Sequence, residues 1–398
     1  VRGPTTLPTS GARFQVTYRL TPPSGREEDA RVLARALCVE QTVEFPADLL
    51  PPGPIPEEVV ARLVALQPAA PLAPAPGDTS APAPPAFDAT LDFAVETAGT
   101  ELTQLLNVLF GNASLLPGVR LQGLALPPAL LAPYPGPRFG RAGLRALLGV
   151  PERPLVATAL KPMGLDVPAL AQLAYELALG GVDILKDDHG LADQPFAPFA
   201  ARVEACAAAV ARANAETGGH TLYAPNVSAP ADAVLARARF AKEAGAGALM
   251  AAAGLVGFDA LRALAADDSL ALPLLGHPAW LGSHALSPAR GVSHGVLFGA
   301  LHRLAGADAV IFPNFGGRFS FPPAACAEIR DATAAPLSSL APIFPAPAGG
   351  MTLARVPEML SFYGPDVLLL IGGDLHRHPD GLVAACRALV EAAQRAMP

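Results

Sequence analysis

A (β/α)8 barrel preceded by a small α+β domain is the fold this 398-residue sequence predicts. Three observations carry that expectation. Beyond residue 150, eight short apolar runs alternate with Ala- and Leu-rich segments of helical spacing, over a length close to the ~250 residues usual for such barrels. The residues that follow those runs are polar or glycine, as at the C-terminal mouth of a barrel, where its chemistry sits. Residues 1–135 mix strand-like and helix-like stretches without that regularity.

Composition narrows the function classes. Hydrophobic residues make up 51% and charged residues 16%, enough for a large core. The net charge of −7 and the lack of a basic cluster exclude nucleic acid as the main partner. No apolar run reaches the ~18 residues of a membrane span, and the first 20 residues lack a signal-peptide core, so the protein is expected in the cytoplasm, away from the membrane. Cys38, Cys206, Cys326 and Cys386 are scattered, which reads as buried free thiols and not as a disulfide framework or zinc site.

In the first domain, ferredoxin-like in its mixture of elements, residues 1–12 read as a loose arm. Phe14–Leu20 alternates as a half-buried strand does. Residues 27–39 have helical spacing. Residues 68–86 are nearly all Pro, Ala, Gly and Ser and read as a mobile loop. Leu91–Glu96 reads as a strand, 101–110 as a helix and 119–126 as a strand. The barrel domain, 136–398, takes its strands from Leu155–Leu160, Val182–Leu185, Thr221–Ala224, Ala248–Ala252, Leu272–Leu275, Ala309–Phe312, Pro342–Phe344 and Val367–Ile371. Helices are expected between them, for example at Pro168–Leu179, Pro230–Ala244, Gly291–Ala305 and Pro379–Met397. A doubly wound open sheet is the alternative, but no Gly-x-Gly-x-x-Gly turn follows an early strand.

The strand ends carry the chemistry. Lys161-Pro162-Met163 follows the first strand, Lys186, Asp188 and His189 the second, Asn226 the third and His277 the fifth. Asn314 to Arg318 follows the sixth, Gly349-Gly350 the seventh, and Gly372-Gly373 with His376, Arg377 and His378 the eighth. Only three of the 28 basic residues are lysines, and two of these end apolar runs, so lysine chemistry and not charge alone is needed there. Lys186 and Asp188 are two apart and share one face of a strand. A lysine carbamylated by CO2 is an anionic oxygen donor suited to Mg2+; a buried Lys–Asp ion pair is the other reading. Imidazole is softer and suits zinc or iron better. The two glycine pairs occupy the quadrant where barrels bind phosphate through backbone amides, although a tight turn explains either pair by itself.

Taken together, Gly180-Gly181-Val-Asp-Ile-Leu-Lys186-Asp-Asp188 resembles the metal-site motif of the RuBisCO large-subunit superfamily. Lys161-Pro162 resembles the segment with the family's lysine base. Gln194-Pro195-Phe196, Asn226, His277, Gly316-Gly317-Arg318 and both glycine pairs fall in the family's order. Cys38-Val39-Glu40-Gln41 and Gly111-Asn112 resemble segments that reach into a partner subunit's active site, which implies a homodimer. The departures matter as much. His189 replaces the metal-site glutamate, Met163 a second lysine, and Arg318 the mobile-loop lysine. Pro278, Ile311 and Ala348 stand where the carboxylating enzymes bind a second phosphate, and none can donate a charge-assisted hydrogen bond.

The resemblance therefore implies a RuBisCO-like enzyme that fixes no CO2. Its substrate would be a keto-sugar or 3-oxo-sugar acid with one phosphate. Mg2+ would be held by carbamylated Lys186, Asp188 and His189, with Lys161, Lys186 and His277 catalytic. Glu40, Asn112, Asn226, Arg318, Gly349, Gly350, Gly372 and Gly373 would bind substrate. The reaction would be decarboxylation or carbon–carbon cleavage, slightly favoured because of His189, or isomerisation. A metal-independent hydrolase or transcarboxylase with an unmodified Lys186, or a non-catalytic regulator, are the alternatives.

Overall fold

The computed structural model describes residues 3–70, 85–319 and 321–395. Its strands are β1 (Arg13–Leu20), β2 (Arg62–Ala69), β3 (Ala86–Ala94), β4 (Val119–Ala125), β5 (Leu155–Ala159), β6 (Ile184–Lys186), β7 (Leu222–Ala224), β8 (Leu249–Ala251), β9 (Leu274–Gly276), β10 (Gly291–Val292), β11 (Ala309–Pro313), β12 (Phe344–Ala348) and β13 (Leu368–Leu370). The chain forms two compact units. One comprises Val1–Tyr134, Leu281–Ala300 and Leu337–Ser339; the other comprises Pro135–Trp280, Leu301–Pro336 and Leu340–Pro398.

The first unit is built on a sheet of order β10-β4-β1-β3-β2. β1 is antiparallel to both β3 and β4, and its alternation is the one the sequence predicts: Phe14, Val16, Tyr18 and Leu20 are buried. The helix Glu27–Glu40 turns Ala30, Ala34 and Leu37 into this core, and the Tyr18 hydroxyl donates to the Leu109 carbonyl at 2.6 Å. The 68–86 stretch needs correction at its ends. Pro68 and Ala69 close β2 and Ala86 opens β3, while 71–84 lie outside the described residues. β2 has no apolar alternation because it is a poorly buried outer strand held by its ladder to β3. The expected helix over Gly291–Ala305 also changes character. Gly291 and Val292 pair in parallel with Arg120 and Leu121 of β4, and the helical part begins at Gly295.

The second unit is the (β/α)8 barrel. β13-β5-β6-β7 and β8-β9-β11-β12 are parallel, β12 lies beside β13, and Met250 on β8 exchanges backbone hydrogen bonds with Pro225 and Val227 beyond β7. Eight strands therefore close in chain order, which an open sheet does not do. Leu155, Ala157, Ile184, Ala224, Met250, Leu275, Ile311, Phe344, Ala346, Leu368 and Leu370 belong to one buried cluster that fills the barrel.

Two buried charges in this unit are held by backbone groups. Arg303 donates to the carbonyls of Ala332, Ala335, Leu340 and Ala341, closing the C-terminal end of the helix Pro323–Ala334. Asp308, just before β11, accepts from Phe139 and Gly140 at 2.8 and 2.7 Å and from Leu274 at 2.9 Å. Burial pushes its carboxyl up to about 6, against those three amides. Asp308→Ala would leave three buried N–H groups unpaired. Each such group costs about 1–3 kcal/mol, so a loss of at least about 3 kcal/mol is expected in denaturant unfolding. A loss under about 1 kcal/mol would show that water replaces the carboxylate.

Candidate active site

The barrel interior leads to the candidate site by simple counting. Side chains two apart on a strand share a face. The buried interior residues Leu155 and Ala157 continue to Lys161, Ile184 to Lys186 and Asp188, Ala224 to Asn226, Leu275 to His277, and Leu370 to Gly372. Ile311 lies in the core cluster itself and Ala348 packs against it, so both positions are apolar in fact as in sequence.

At the end of β6 the alternation sorts the side chains. Lys186 is buried, and its Nζ donates to the Asp187 carbonyl at 2.9 Å. Burial lowers its pKa to about 8, with Asp188 and Asp187 opposing and Lys161 assisting. Asp188 forms an ion pair with Lys161 and accepts from the Gly190 amide at 2.9 Å. Burial raises the Asp188 carboxyl, but Lys161 and the Gly190 amide outweigh it and hold the group below its usual value. Asp187 points the other way, into the wall between barrel and helix. It accepts from Tyr223 Oη at 2.8 Å, Asn226 N at 3.0 Å and Arg202 Nε at 3.2 Å, and neither Asp187 nor Arg202 has any exposed surface. Arg202, on the helix Phe199–Thr217, also donates to the Ala197 carbonyl at 2.8 Å. Sequence reading gave Asp187, Tyr223 and Arg202 no role of their own. The signal was available for Asp187, since a carboxylate on the outward face of a buried strand needs a partner.

His189 and His277 stack, with ring centroids 4.5 Å apart and planes inclined by 15°. The Ala279 amide donates to His277 Nδ1 at 3.2 Å, so the neutral ring carries its proton on Nε2. Burial, then Lys186, His189 and Lys161, depress the His277 pKa well below the ordinary imidazole value. His189 is lowered too, by burial, against Asp188. The Asn226 side-chain amide donates to the carbonyls of His189 and Leu191, both at 3.0 Å, and so ties down the loop after β6.

The glycine pairs divide in character. Gly349 and Gly350 have φ of 85° and 91°, and the loop bearing Arg318 lies directly on them: Arg318 N donates to the Gly349 carbonyl at 2.9 Å. A Cβ on Gly317 would stand 2.0 Å from that carbonyl oxygen. Gly373 has open space around it, and a Cβ on Gly372 would stand 3.8 Å from Lys161 Cδ and Cε. The Arg318 guanidinium lies over the Phe319 ring at 4.5 Å. In the first unit, Asn112 Nδ2 donates to Glu40 Oε1 at 2.8 Å, so two segments far apart in sequence meet. Gln41 organises the meeting, accepting from Ala113 N and donating to the Val108 carbonyl, each at 2.8 Å.

Among the described residues, no three His, Cys, Asp or Glu side chains are grouped to hold a metal ion. Asp188 could supply oxygen to a hard cation; Lys186 could do so only as a carbamate, and its lowered pKa suits that reaction because only the free amine attacks CO2. With that group added, the donors fit Mg2+.

No helix among the described residues is long and apolar enough to cross a membrane. Residues 140–319 match the family described as ribulose bisphosphate carboxylase large chain, catalytic domain. The chain is 42% identical to ribulose bisphosphate carboxylase-like protein 1 of Rhodopseudomonas palustris, over 91% of this chain and 92% of that one. It is 39% identical to 5-methylthioribulose-1-phosphate isomerase of Rhodospirillum rubrum, over 95% of each. A crystal structure of a Rubisco-like protein from Rhodopseudomonas palustris superposes with a TM-score of 0.82 at 38% identity, covering 96% of this chain and 97% of that one.

Proposed function

The chain belongs to the RuBisCO large-chain family, as an enzyme of its RuBisCO-like branch, and we propose that it moves a proton at the carbon beside the carbonyl of a mono-phosphorylated keto-sugar, with isomerisation as the outcome. The observation that carries this reading is the meeting of Lys161, Asp188 and buried Lys186 at the barrel mouth, in a barrel whose β11 and β12 positions Ile311 and Ala348 are apolar. Proton-transfer groups are present, and Ile311 and Ala348 offer no side-chain donor for a second phosphate. The isomerase relative draws the outcome away from the decarboxylation favoured by His189 alone.

Lys186 as a carbamate and Asp188 would hold Mg2+. The ion, when bound, polarises the substrate carbonyl. Lys161 takes the proton from the adjacent carbon and returns it to the neighbouring one. His277 Nε2–H donates to the oxygen that gains charge. Backbone amides at Gly349, Gly350, Gly372 and Gly373 take the phosphate, with Arg318 and Asn226 on the substrate's flank. Glu40 and Asn112 are supplied by a second copy, making the working unit a homodimer in the cytoplasm.

Purified protein with Mg2+ and bicarbonate should exchange solvent deuterium into 5-methylthioribulose 1-phosphate or a related ketose phosphate, and should not carboxylate ribulose 1,5-bisphosphate. Lys161→Ala should slow that exchange by about 10²–10⁴-fold. Silence towards every mono-phosphorylated ketose and 3-oxo-sugar acid phosphate would sink the proposal. Mixing Lys161→Ala with Asn112→Ala subunits should restore activity that neither variant shows alone; no restoration would contradict shared active sites.

A further inference from the structure

His189 stands where the metal-site motif departs from its family, and its ring has a neighbour of its own. It follows β6, while His277 follows β9, with β7 and β8 between them in the barrel. The two rings therefore meet across the mouth and not along one strand pair, stacked at 4.5 Å and 15°. Each is fixed from behind. Asn226 Nδ2 holds the His189 carbonyl at 3.0 Å. His277 N donates to the Ala251 carbonyl at 2.9 Å, and its Nδ1 accepts from Ala279 N at 3.2 Å. Those bonds set the His277 backbone and tautomer from one edge, and the His189 ring lies flat against the ring face. His189 Nδ1 is 3.5 Å from Asp188 Oδ1, longer than a hydrogen bond. Imidazole is also a softer donor than Mg2+ prefers.

We infer that His189 is a positioning residue for His277, a flat wall that fixes the direction of the His277 Nε2–H, and that a divalent cation at this site is held by Lys186 and Asp188 without it. The cation and the reacting oxygen rest on the function proposed above; the stacking rests on geometry alone.

Two measurements test this without any substrate. Mn2+ binding, read by electron paramagnetic resonance in bicarbonate, should be within about threefold of the unaltered protein in His189→Phe, where the flat ring survives and the ligand atom does not. Asp188→Asn and Lys186→Ala should weaken it about tenfold or more, the scale seen when metal-site partners are lost. Weakening in His189→Phe as large as in Asp188→Asn would overturn the inference. Nitrogen-15 spectra of His277 should show the Nε2-protonated tautomer in all three proteins, because the Ala279 amide sets it, with an Nε2–H signal that is sharp in the unaltered protein and in His189→Phe and broadened or shifted in His189→Ala. An unchanged His277 spectrum in His189→Ala would also overturn it. Should the unaltered protein bind no Mn2+, the metal part of the proposed function falls, and the nitrogen-15 spectra still decide the stacking. Once a substrate is in hand, His189→Ala should lower kcat by about 10²-fold with KM little changed, and His189→Phe should recover most of it.

Discussion

Lys186→Ala is expected to remove at least about 10³-fold of turnover while leaving the fold intact. The side chain is buried among Asp187, Asp188 and Lys161, so alanine leaves a small polar gap and relieves a buried ammonium. What is lost is the buried amine proposed to become an oxygen donor by reaction with CO2. Lys186→Arg should be equally inactive, because guanidinium stays charged at all working pH values. The pH dependence follows from the lowered pKa. Below about 8 the ammonium form dominates and does not attack CO2; above it the amine dominates. Activation by bicarbonate should therefore rise with pH through about 8 and flatten beyond. Carbon-13 spectra with labelled bicarbonate should show a carbamate signal in the unaltered protein that is missing in both variants. Lys186→Ala with a tenth or more of the original turnover would mean that no carbamate takes part.

Asp187→Ala should cost about 3–5 kcal/mol of stability, the range for removing one member of a buried ion pair. The Arg202 guanidinium would be left with no anion in a wall where it has no exposed surface, and the Tyr223 hydroxyl and Asn226 amide would lose their acceptor. Replacing both charges, as in Asp187→Leu with Arg202→Met, should recover much of the loss, since the pair repays its own desolvation poorly. Chemical denaturation of the two single variants and the double variant measures this as a coupling energy. The consequence reaches the site, because Asp187 lies between Lys186 and Asp188 in the chain and its three partners anchor that strand end. Folded Asp187→Ala protein should bind Mn2+ more weakly than the unaltered protein. A stability within about 1 kcal/mol of the original would show that the pair is not needed to hold β6.

The barrel was legible because its strands are buried on both faces. Ala248–Ala252 or Val367–Ile371 must be apolar throughout, and helices of 3.6 periodicity must cover them, so the alternation of the two patterns survives in the bare sequence. The site was legible for a related reason. With the interior register known at Leu155 or Ile184, a period of two carries it outward to Lys161, Lys186 and Asp188. β2 was not legible. Arg62–Ala69 is exposed on much of both faces, includes Pro68, and exists through its ladder to β3. Nor was β10, since two residues have no period to read.

What the sequence determined by itself is therefore whatever burial imposes locally: eight barrel strands, their inward faces, the half-buried β1, and the residue types at each strand end. What only the tertiary structure decided are the meetings of residues far apart in the chain. Asn112 reaches Glu40, Arg202 and Tyr223 converge on Asp187, and His189 lies on His277 instead of standing alone beside Asp188. Such pairs depend on how strands and loops close upon one another, and the side-chain directions that closure sets leave no periodic trace along the chain.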